Sequence, residues 1–279
     1  MQILHRFKTT SFLKIVLMSL LFSTQSAAQE PIRIAVAANF LATLKVISKD
    51  FTKQTGIKVS LSNGATGMLY AQIKKGAPYE MFFSADTERP LLLEQQGLIE
   101  AGSRFSYVQG KLVVWSPNPQ IISADLSKTA TNISQLRFFA MANPKIAPYG
   151  LAAQKVLEHY GLYKALKQQN KIALGENIGK TYQYVATGNA QLGLLAKSYV
   201  SRPGQKLKGE IFELDDALYP PIFQQAVILK NRNRPAVQQF VKFLQSEKIQ
   251  NLIKQFGYGL VHIEINQTDQ TIQDIKTVQ

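Results

Sequence analysis

Short apolar segments alternate along the chain with segments whose apolar residues recur every three or four positions. Residues 32–38 (IRIAVAA) are followed by Phe40, Leu44, Ile47 and Phe51, a spacing that predicts a strand and then a helix. The other predicted strands are 58–62, 81–85, 111–116, 138–142, 192–196 and 225–229. This order favours an α/β fold in which helices cover both faces of parallel sheets.

The alternation falls into two blocks. Pro117 and Pro119 interrupt the chain after the strand at 111–116, and a second block of strands and helices then begins. The pattern predicts two lobes that are joined by crossing strands near 111–115 and 222–229. The expected division is 29–110 plus 226–261 for the first lobe, 111–225 for the second lobe and 262–279 for a polar tail.

The N-terminal segment has the composition of a cleavable secretory signal. Basic residues precede an apolar run at 15–22, and the small residues 26–28 follow it. The alternative, a transmembrane anchor, would need about 20 apolar residues, and this run is much shorter. We expect residues 1–28 to be the signal, cleavage near Ala28 and a periplasmic mature protein.

Cysteine usage and charge exclude several classes of function. The chain has no cysteine, which excludes disulfides, thiolate chemistry, cysteine-based zinc sites and a lipidated N-terminal cysteine. The formal net charge is +14, but Lys and Arg occur singly rather than in a dense patch. We therefore expect no nucleic-acid partner, and a diffuse positive field could speed the capture of an anion. Nothing in the sequence indicates oligomerisation, so a monomer is expected.

Four turns between predicted elements could hold a ligand. In open α/β sheets, ligands bind beyond the carboxyl ends of the strands, where helices also begin. The residues that the four turns place there are Asn39, Thr66, Tyr149 and Ile178. Ile178 could offer only its backbone N–H, whereas the other three also have polar side chains.

Each turn also has a purely structural interpretation. Asn39 could be a helix N-cap, with or without a ligand. The glycine turn at 62–67 that contains Thr66 is a common motif, and the proline loop at 143–150 could simply expose Tyr149. The residues of the turns leave these alternatives open.

An exported enzyme is the main alternative class. His159 and His262 lie far from the four turns, and the sequence has no Ser-His-Asp order, metal-ligand spacing or P-loop. Glu80 and Asp86 flank a predicted strand and are interpreted as structural. We therefore expect binding without catalysis.

Three motifs together resemble one family. They are GAPYEMFFSAD at 76–86, NPKIAPYG at 143–150 and FGY at 256–258. With the four turns in the same order, the chain from 32 to about 260 resembles the molybdate-binding proteins of ABC transporters. The first motif is the most specific of the three.

The resemblance implies a type II periplasmic binding fold, with two Rossmann-like lobes that close on an anion. It implies molybdate or tungstate as the ligand, held through its oxygens by Asn39, Thr66, Tyr149 and Ile178, with no direct protein ligand to the metal. It also implies no cofactor, and an ABC transporter permease as the partner. There are two alternatives. The ligand could be another tetrahedral oxyanion, such as sulfate or phosphate, or the protein could be a sensor outside transport.

Two positions depart from the family pattern. Some members have a tyrosine late in the second lobe that reaches the oxyanion, and the matching residue here is Ala196. We expect Tyr149 to supply the phenol that Ala196 cannot. Thr66 stands where many relatives have serine, and it keeps the hydroxyl.

Overall fold

A computed structural model of the chain describes residues 29–261. The predicted signal, 1–28, and the predicted tail, 262–279, lie outside the described residues. Within the described range the strands are β1 Ile32–Ala37, β2 Val59–Gly64, β3 Met81–Phe83, β4 Phe105–Gly110, β5 Leu112–Ser116, β6 Phe139–Ala142, β7 Ile172–Gly175, β8 Leu192–Ala196, β9 Glu210–Glu213 and β10 Ile222–Ile228.

The helices of the same range follow the strands closely. They are α1 Leu41–Thr55, α2 Thr66–Lys74, α3 Glu88–Gln95, α4 Ser127–Thr131, α5 Pro148–His159, α6 Leu162–Gln168, α7 Ile178–Ala186, α8 Lys197–Val200, α9 Pro235–Leu244 and α10 Glu247–Gln255. Short 3-10 turns lie at Ala38–Phe40, Pro119–Ile121 and Asp216–Leu218.

The strands form two sheets of five. The first sheet has the order β2-β1-β3-β10-β4, and the second has the order β7-β6-β8-β5-β9. In the first sheet β1 is parallel to β2 and β3, and in the second β6 is parallel to β7 and β8. The predicted α/β fold with two lobes is therefore confirmed. We call the first sheet with its helices the first lobe, and the second sheet with its helices the second lobe.

The chain crosses between the sheets at two places. Lys111 alone separates β4 of the first sheet from β5 of the second, and segment 214–221 leads back from β9 to β10. β10 belongs to the first sheet from Ile222 onward, so the expected lobe boundary between 225 and 226 falls inside this strand. Lys111 forms an ion pair with Asp216, and the Tyr219 hydroxyl accepts a hydrogen bond of 3.1 Å from the N–H of Leu112. The two crossings are thus bonded to each other.

The predicted helix after β1 forms as α1 for the expected reason. Leu44, Ile47 and Phe51 are buried on the face that packs on the first sheet. The helix ends at Gly56, whose φ of 75° lies in the left-handed region that glycine adopts without strain. Each fully buried side chain of this size stabilises the lobe by about 1.5–3 kcal/mol.

An aromatic cluster supports the turn that follows β1. The Phe40 ring lies 4.8 Å from the Tyr107 ring and 5.4 Å from the Tyr258 ring, and Phe83 lies 5.1 Å from Tyr107. Edge-on and tilted aromatic pairs at these distances each add about 0.5–1.5 kcal/mol beyond their burial. The cluster therefore holds the Ala38–Phe40 turn, and with it Asn39, in one place.

Candidate anion-binding site

The four residues that the sequence predicts follow the carboxyl ends of parallel strands. Asn39 lies in the turn after β1, Thr66 begins α2 after β2, and Ile178 begins α7 after β7. Tyr149 is the second residue of α5, which follows β6. All four are buried, with exposed fractions of 2–3%. Parallel strands end at one edge of each sheet, so each lobe contributes two of these turns.

Contacts between the lobes bring these turns together. The N–H of Gly67, at the start of α2, donates to the carbonyl of Ile146, just before α5, at 3.0 Å. In the second lobe, Ser198 Oγ donates to the carbonyl of Asn39 at 3.0 Å, and Tyr199 Oη donates to the carbonyl of Ala38 at 2.9 Å. The lobes are therefore closed on each other along the line where the four turns meet.

The backbone N–H groups at these turns are available as donors. Those of Asn39, Thr66, Tyr149 and Ile178 make no hydrogen bond within residues 29–261. The first N–H groups of a helix have no intrahelical acceptor, and the helix dipole adds partial positive charge there. Turns of this kind can bind an anion without a charged side chain.

The Asn39 side chain has a different role from the one expected. It makes no capping bond, and Ala37 rather than Asn39 occupies the N-cap position, so the N-cap interpretation is wrong. Its Nδ2 instead donates to Gln224 Oε1 at 2.8 Å and to Tyr258 Oη at 3.3 Å. Because both amide hydrogens are used inside the protein, the group of Asn39 that can donate to an anion is its backbone N–H.

Thr66 and Ile178 each have an open donor at a helix start. Thr66 Oγ1 accepts from the N–H of Ala85 at 3.3 Å, which leaves the hydroxyl hydrogen of Thr66 free for another acceptor. Asn177 caps α7 by accepting from the N–H of Lys180 at 3.0 Å. The cap fixes the first turn of α7 and leaves the N–H of Ile178 without an acceptor.

Tyr149 projects its hydroxyl from the second lobe towards the first. Tyr149 Oη accepts a hydrogen bond of 3.2 Å from Gln224 Nε2. A Cβ atom added at Gly110 would lie 2.1 Å from this oxygen, so a larger residue at the end of β4 would displace the phenol. Burial raises the pKa of the Tyr149 phenol well above its usual value of 10, so the phenol keeps its hydrogen at neutral pH.

Ala196 lies at the end of β8, fully buried and opposite Leu112 of β5. Ala196 and Tyr149 belong to the same apolar cluster, which also contains Ile178 and, from the first lobe, Ala38. Whether Tyr149 replaces a phenol at position 196 stays a prediction, as do the ligand contacts of the four residues.

Glycines allow the second-lobe helices to approach this region. A Cβ atom at Gly150 would lie 2.5 Å from the carbonyl oxygen of Ala142, and one at Gly179 would lie 2.5 Å from Tyr199 Oη. Real Cβ atoms do not occur at such distances. The obstacle at Gly150 is backbone, so that position requires glycine, whereas a side chain at position 179 would displace the Tyr199 hydroxyl. These contacts fix α5 and α7, and therefore the donors at their first turns.

Sequence reasoning missed three residues of this region. Gln224 and Tyr258 bind Asn39, and Tyr199 binds the neighbouring carbonyl of Ala38. Tyr258 belongs to the FGY motif, and Gln224 and Gln225 are the two polar residues of the otherwise apolar segment 222–229. Either signal could have directed attention to them.

The acidic residues near the site are paired. Asp86 forms an ion pair with Arg89, and the buried Glu80 pairs with Arg234 at 2.5 Å. Glu80 also accepts from the N–H of Arg33 at 2.8 Å. Both carboxylates therefore support the structure, as the sequence interpretation expected.

A cleft of about 440 Å³ opens beside the start of α7, between the two lobes. Lys45 of the first lobe lines it, together with Lys180 and Arg202 of the second, and Glu176 is the acidic residue in its lining. The Arg202 guanidinium lies over the Tyr199 ring, 4.6 Å from its centre. The rim of this cleft carries net positive charge close to Ile178.

Residues 29–261 contain neither a metal-binding cluster nor a membrane-spanning helix. No group of three or more His, Asp or Glu side chains is arranged to hold a metal ion there. None of the helices between residues 29 and 261 combines the length and the apolar composition that a membrane crossing requires.

Comparison with known proteins identifies the family. The family described as bacterial extracellular solute-binding protein matches residues 32–259. The molybdate-binding protein ModA of Azotobacter vinelandii is 44% identical over 239 residues, which cover 84% of this chain and 92% of that protein. The ModA protein of Rhodobacter capsulatus is 38% identical over 233 residues, which cover 83% and 89%.

A solved structure leads to the same family. The periplasmic molybdate-binding protein of Azotobacter vinelandii matches with a TM-score of 0.78 at 40% identity, over 82% of this chain and 99% of that one. This match confirms the predicted periplasmic binding protein fold. The resemblance read from the sequence motifs is also confirmed: the chain belongs to the bacterial extracellular solute-binding proteins, in the family of the molybdate-binding proteins ModA.

Proposed function

We propose that this protein binds molybdate between its lobes and delivers it to an ABC transporter for uptake. The observation that carries the proposal is the 44% identity to a molybdate-binding protein over most of both chains. The geometry supports it, because four buried turns meet where the lobes close and each has an unused N–H donor. Tungstate, which has the same shape and charge, is expected to bind nearly as well.

Uncharged donors suit a tetrahedral dianion. Thr66 and Tyr149 add hydroxyl hydrogens to the four N–H groups, and the site contains no lysine or arginine. In a site from which water is excluded, such hydrogen bonds are stronger than in water. Donors of this kind do not distinguish one oxyanion from another, so the size of the enclosed space has to select molybdate and tungstate over the smaller sulfate.

Export is part of the proposal. The basic start, the apolar run at 15–22 and the small residues before Gln29 support a cleaved secretory signal. A periplasmic location agrees with the family to which the chain belongs. The protein would act as a monomer that meets the transporter's permease, and it would release molybdate without chemical change. Sequencing the N-terminus of the secreted protein should give Gln29 as the first residue.

The direct test is calorimetric titration of residues 29–279 with four anions. Molybdate and tungstate should bind at one site with similar affinities, whereas sulfate and phosphate should bind at least about 100-fold more weakly, a difference of roughly 2.7 kcal/mol. Sulfate binding as tightly as molybdate would contradict selection by size. Tight binding of phosphate alone would assign the protein to another oxyanion.

A further inference from the structure

Gln224, which is fully buried on β10, connects the two lobes through its side chain. Its Nε2 donates to Tyr149 Oη of the second lobe at 3.2 Å, and its Oε1 accepts from Asn39 Nδ2 of the first lobe at 2.8 Å. Gln224 Oε1 also lies 3.0 Å from Tyr107 Oη. An amide buried this completely is costly unless its polar atoms are paired, so these bonds fix its orientation.

The orientation of the Gln224 amide follows from Asn39. Tyr258 Oη donates its single hydrogen to the carbonyl oxygen of Asn39 at 2.7 Å. The same hydroxyl oxygen lies 3.3 Å from the Asn39 side chain, where it can only accept, so Asn39 presents Nδ2 there. Gln224 meets the same Nδ2 and therefore has to present Oε1 to Asn39.

As a consequence, the hydroxyl hydrogen of Tyr149 is not used in a bond to Gln224. With Oε1 directed at Asn39, Gln224 turns its Nε2, which only donates, towards Tyr149. The Tyr149 oxygen accepts this bond, and its own hydrogen is left for another acceptor. The phenol stays protonated at neutral pH because burial raises its pKa well above the usual value.

We infer that Gln224 is a positioning residue that holds the Tyr149 hydroxyl as a hydrogen-bond donor to the bound oxyanion. The inference rests on the proposed function and assigns the residue that sets the direction of one of its hydrogen bonds. Gln224 acts through Tyr149 and does not need to touch the anion. The bond from Tyr258 to the Asn39 carbonyl thus fixes the Asn39 amide, and the Asn39 amide fixes the Gln224 amide. Through these bonds the first lobe determines that Tyr149 of the second lobe keeps a hydrogen to donate.

A double-mutant cycle with molybdate titration tests this role. In Gln224→Glu the carboxylate can only accept, so it takes the Tyr149 hydrogen. We expect Tyr149→Phe to weaken molybdate binding about tenfold or more in the native background, as the loss of a charge-assisted hydrogen bond does. In the Gln224→Glu background, Tyr149→Phe should weaken molybdate binding by less than about threefold. The new charge is present in both proteins of the second pair and cancels in the comparison.

The inference is overturned if Tyr149→Phe weakens molybdate binding by the same factor in the native and Gln224→Glu backgrounds. A residue that only supports the fold would give such additive effects. Gln225→Glu is the matched control, since Gln225 is the next residue on β10 and bonds to Arg104 and Ser106 instead. The control should leave the molybdate affinity and the effect of Tyr149→Phe unchanged. If the native protein does not bind molybdate, the proposed function is overturned as well. If it binds molybdate and Tyr149→Phe has the same effect in both backgrounds, this inference alone is overturned.

Gln224→Met provides a second route if the buried glutamate prevents folding. Methionine has a similar volume and no amide, so Tyr149 keeps its hydrogen but loses the bond that directs it. Molybdate affinity should fall about three- to tenfold at a temperature at which circular dichroism shows the variant to be folded. Unchanged affinity with a lowered melting temperature would show a purely structural role and overturn the inference.

Discussion

The two halves of the candidate site are built in different ways. In the first lobe, the side chain of Asn39 is fully engaged with Gln224 and Tyr258, above an aromatic cluster. In the second lobe, Tyr149 and Ile178 lie in the first turns of two helices, and glycine contacts fix those helices. A network of buried side chains therefore shapes one half, and close backbone packing shapes the other. Donors to an anion result in both cases without a single cation.

The largest expected effect is at Gly110, where the two halves meet. In Gly110→Ala the new Cβ would overlap Tyr149 Oη and Gln224 Nε2, at 2.1 and 2.6 Å, and would displace the phenol. We expect molybdate affinity to fall on the order of 100-fold and the free energy of unfolding to fall by about 1–3 kcal/mol. Calorimetry and urea unfolding measure the two changes.

Gly64→Ala is the matched control for this change. Gly64 ends β2 in the first lobe, and a Cβ there would meet nothing closer than a Leu69 side-chain atom at 3.6 Å. Affinity should stay within about twofold. If both substitutions weaken binding equally, the contact between Gly110 and Tyr149 does not shape the site.

A smaller effect is expected from removing one backbone donor of the second lobe. Ile178→Pro deletes the N–H at the first position of α7, where proline is well tolerated, and Asn177 before it already has an extended backbone. The helix should form normally, and molybdate should bind about tenfold more weakly. Ile178→Val, which keeps the N–H, should bind like the native protein. Equal affinities of the two variants would show that this N–H does not contact the anion.

The smallest effect is expected from pH. Burial raises the pKa of Tyr149 well above 10 and that of Tyr199 to about 12, so both phenols stay protonated under ordinary conditions. Molybdate affinity should therefore be constant from about pH 7 to 9. The stability that these phenols contribute is complete below about pH 10, where unfolded tyrosine ionises, and is lost as the pH rises further. Urea unfolding between pH 8 and 11 measures this loss, and a fall in affinity already at pH 8 would indicate another titrating donor.

Local sequence patterns predicted the fold well where one face of an element is apolar. The strand at 32–38 and the helix through Phe51 formed because their apolar residues have the spacing of a buried face. β4, β7 and β9 were not predicted. Ser106 and Gln109 break the apolar pattern in β4, Glu210 and Glu213 bound β9, and β7 is a strand of four residues that ends in glycine.

The candidate site was predictable only in part. Each of its four residues lies in or just after the turn that follows a strand, so the local sequence reveals it. Gln224 escaped prediction because its partners Asn39, Tyr107 and Tyr149 are 185, 117 and 75 residues away in sequence. The local spacing of apolar and polar residues carries no information on contacts between such distant positions. The bonds of the Asn39 amide to Gln224 and Tyr258 are also long-range and therefore invisible in the local sequence. The local sequence for that reason suggested a helix cap instead.

The paired crossings also limit how the molecule can open. Lys111 is the whole of one connection, and its ion pair with Asp216 ties it to the other. With Tyr219 bonded to Leu112 beside them, the two connections lie side by side and are held to each other. A displacement of one connection is therefore transmitted to the other. One lysine and its carboxylate partner thereby couple the two connections, although neither residue belongs to the four turns of the candidate site.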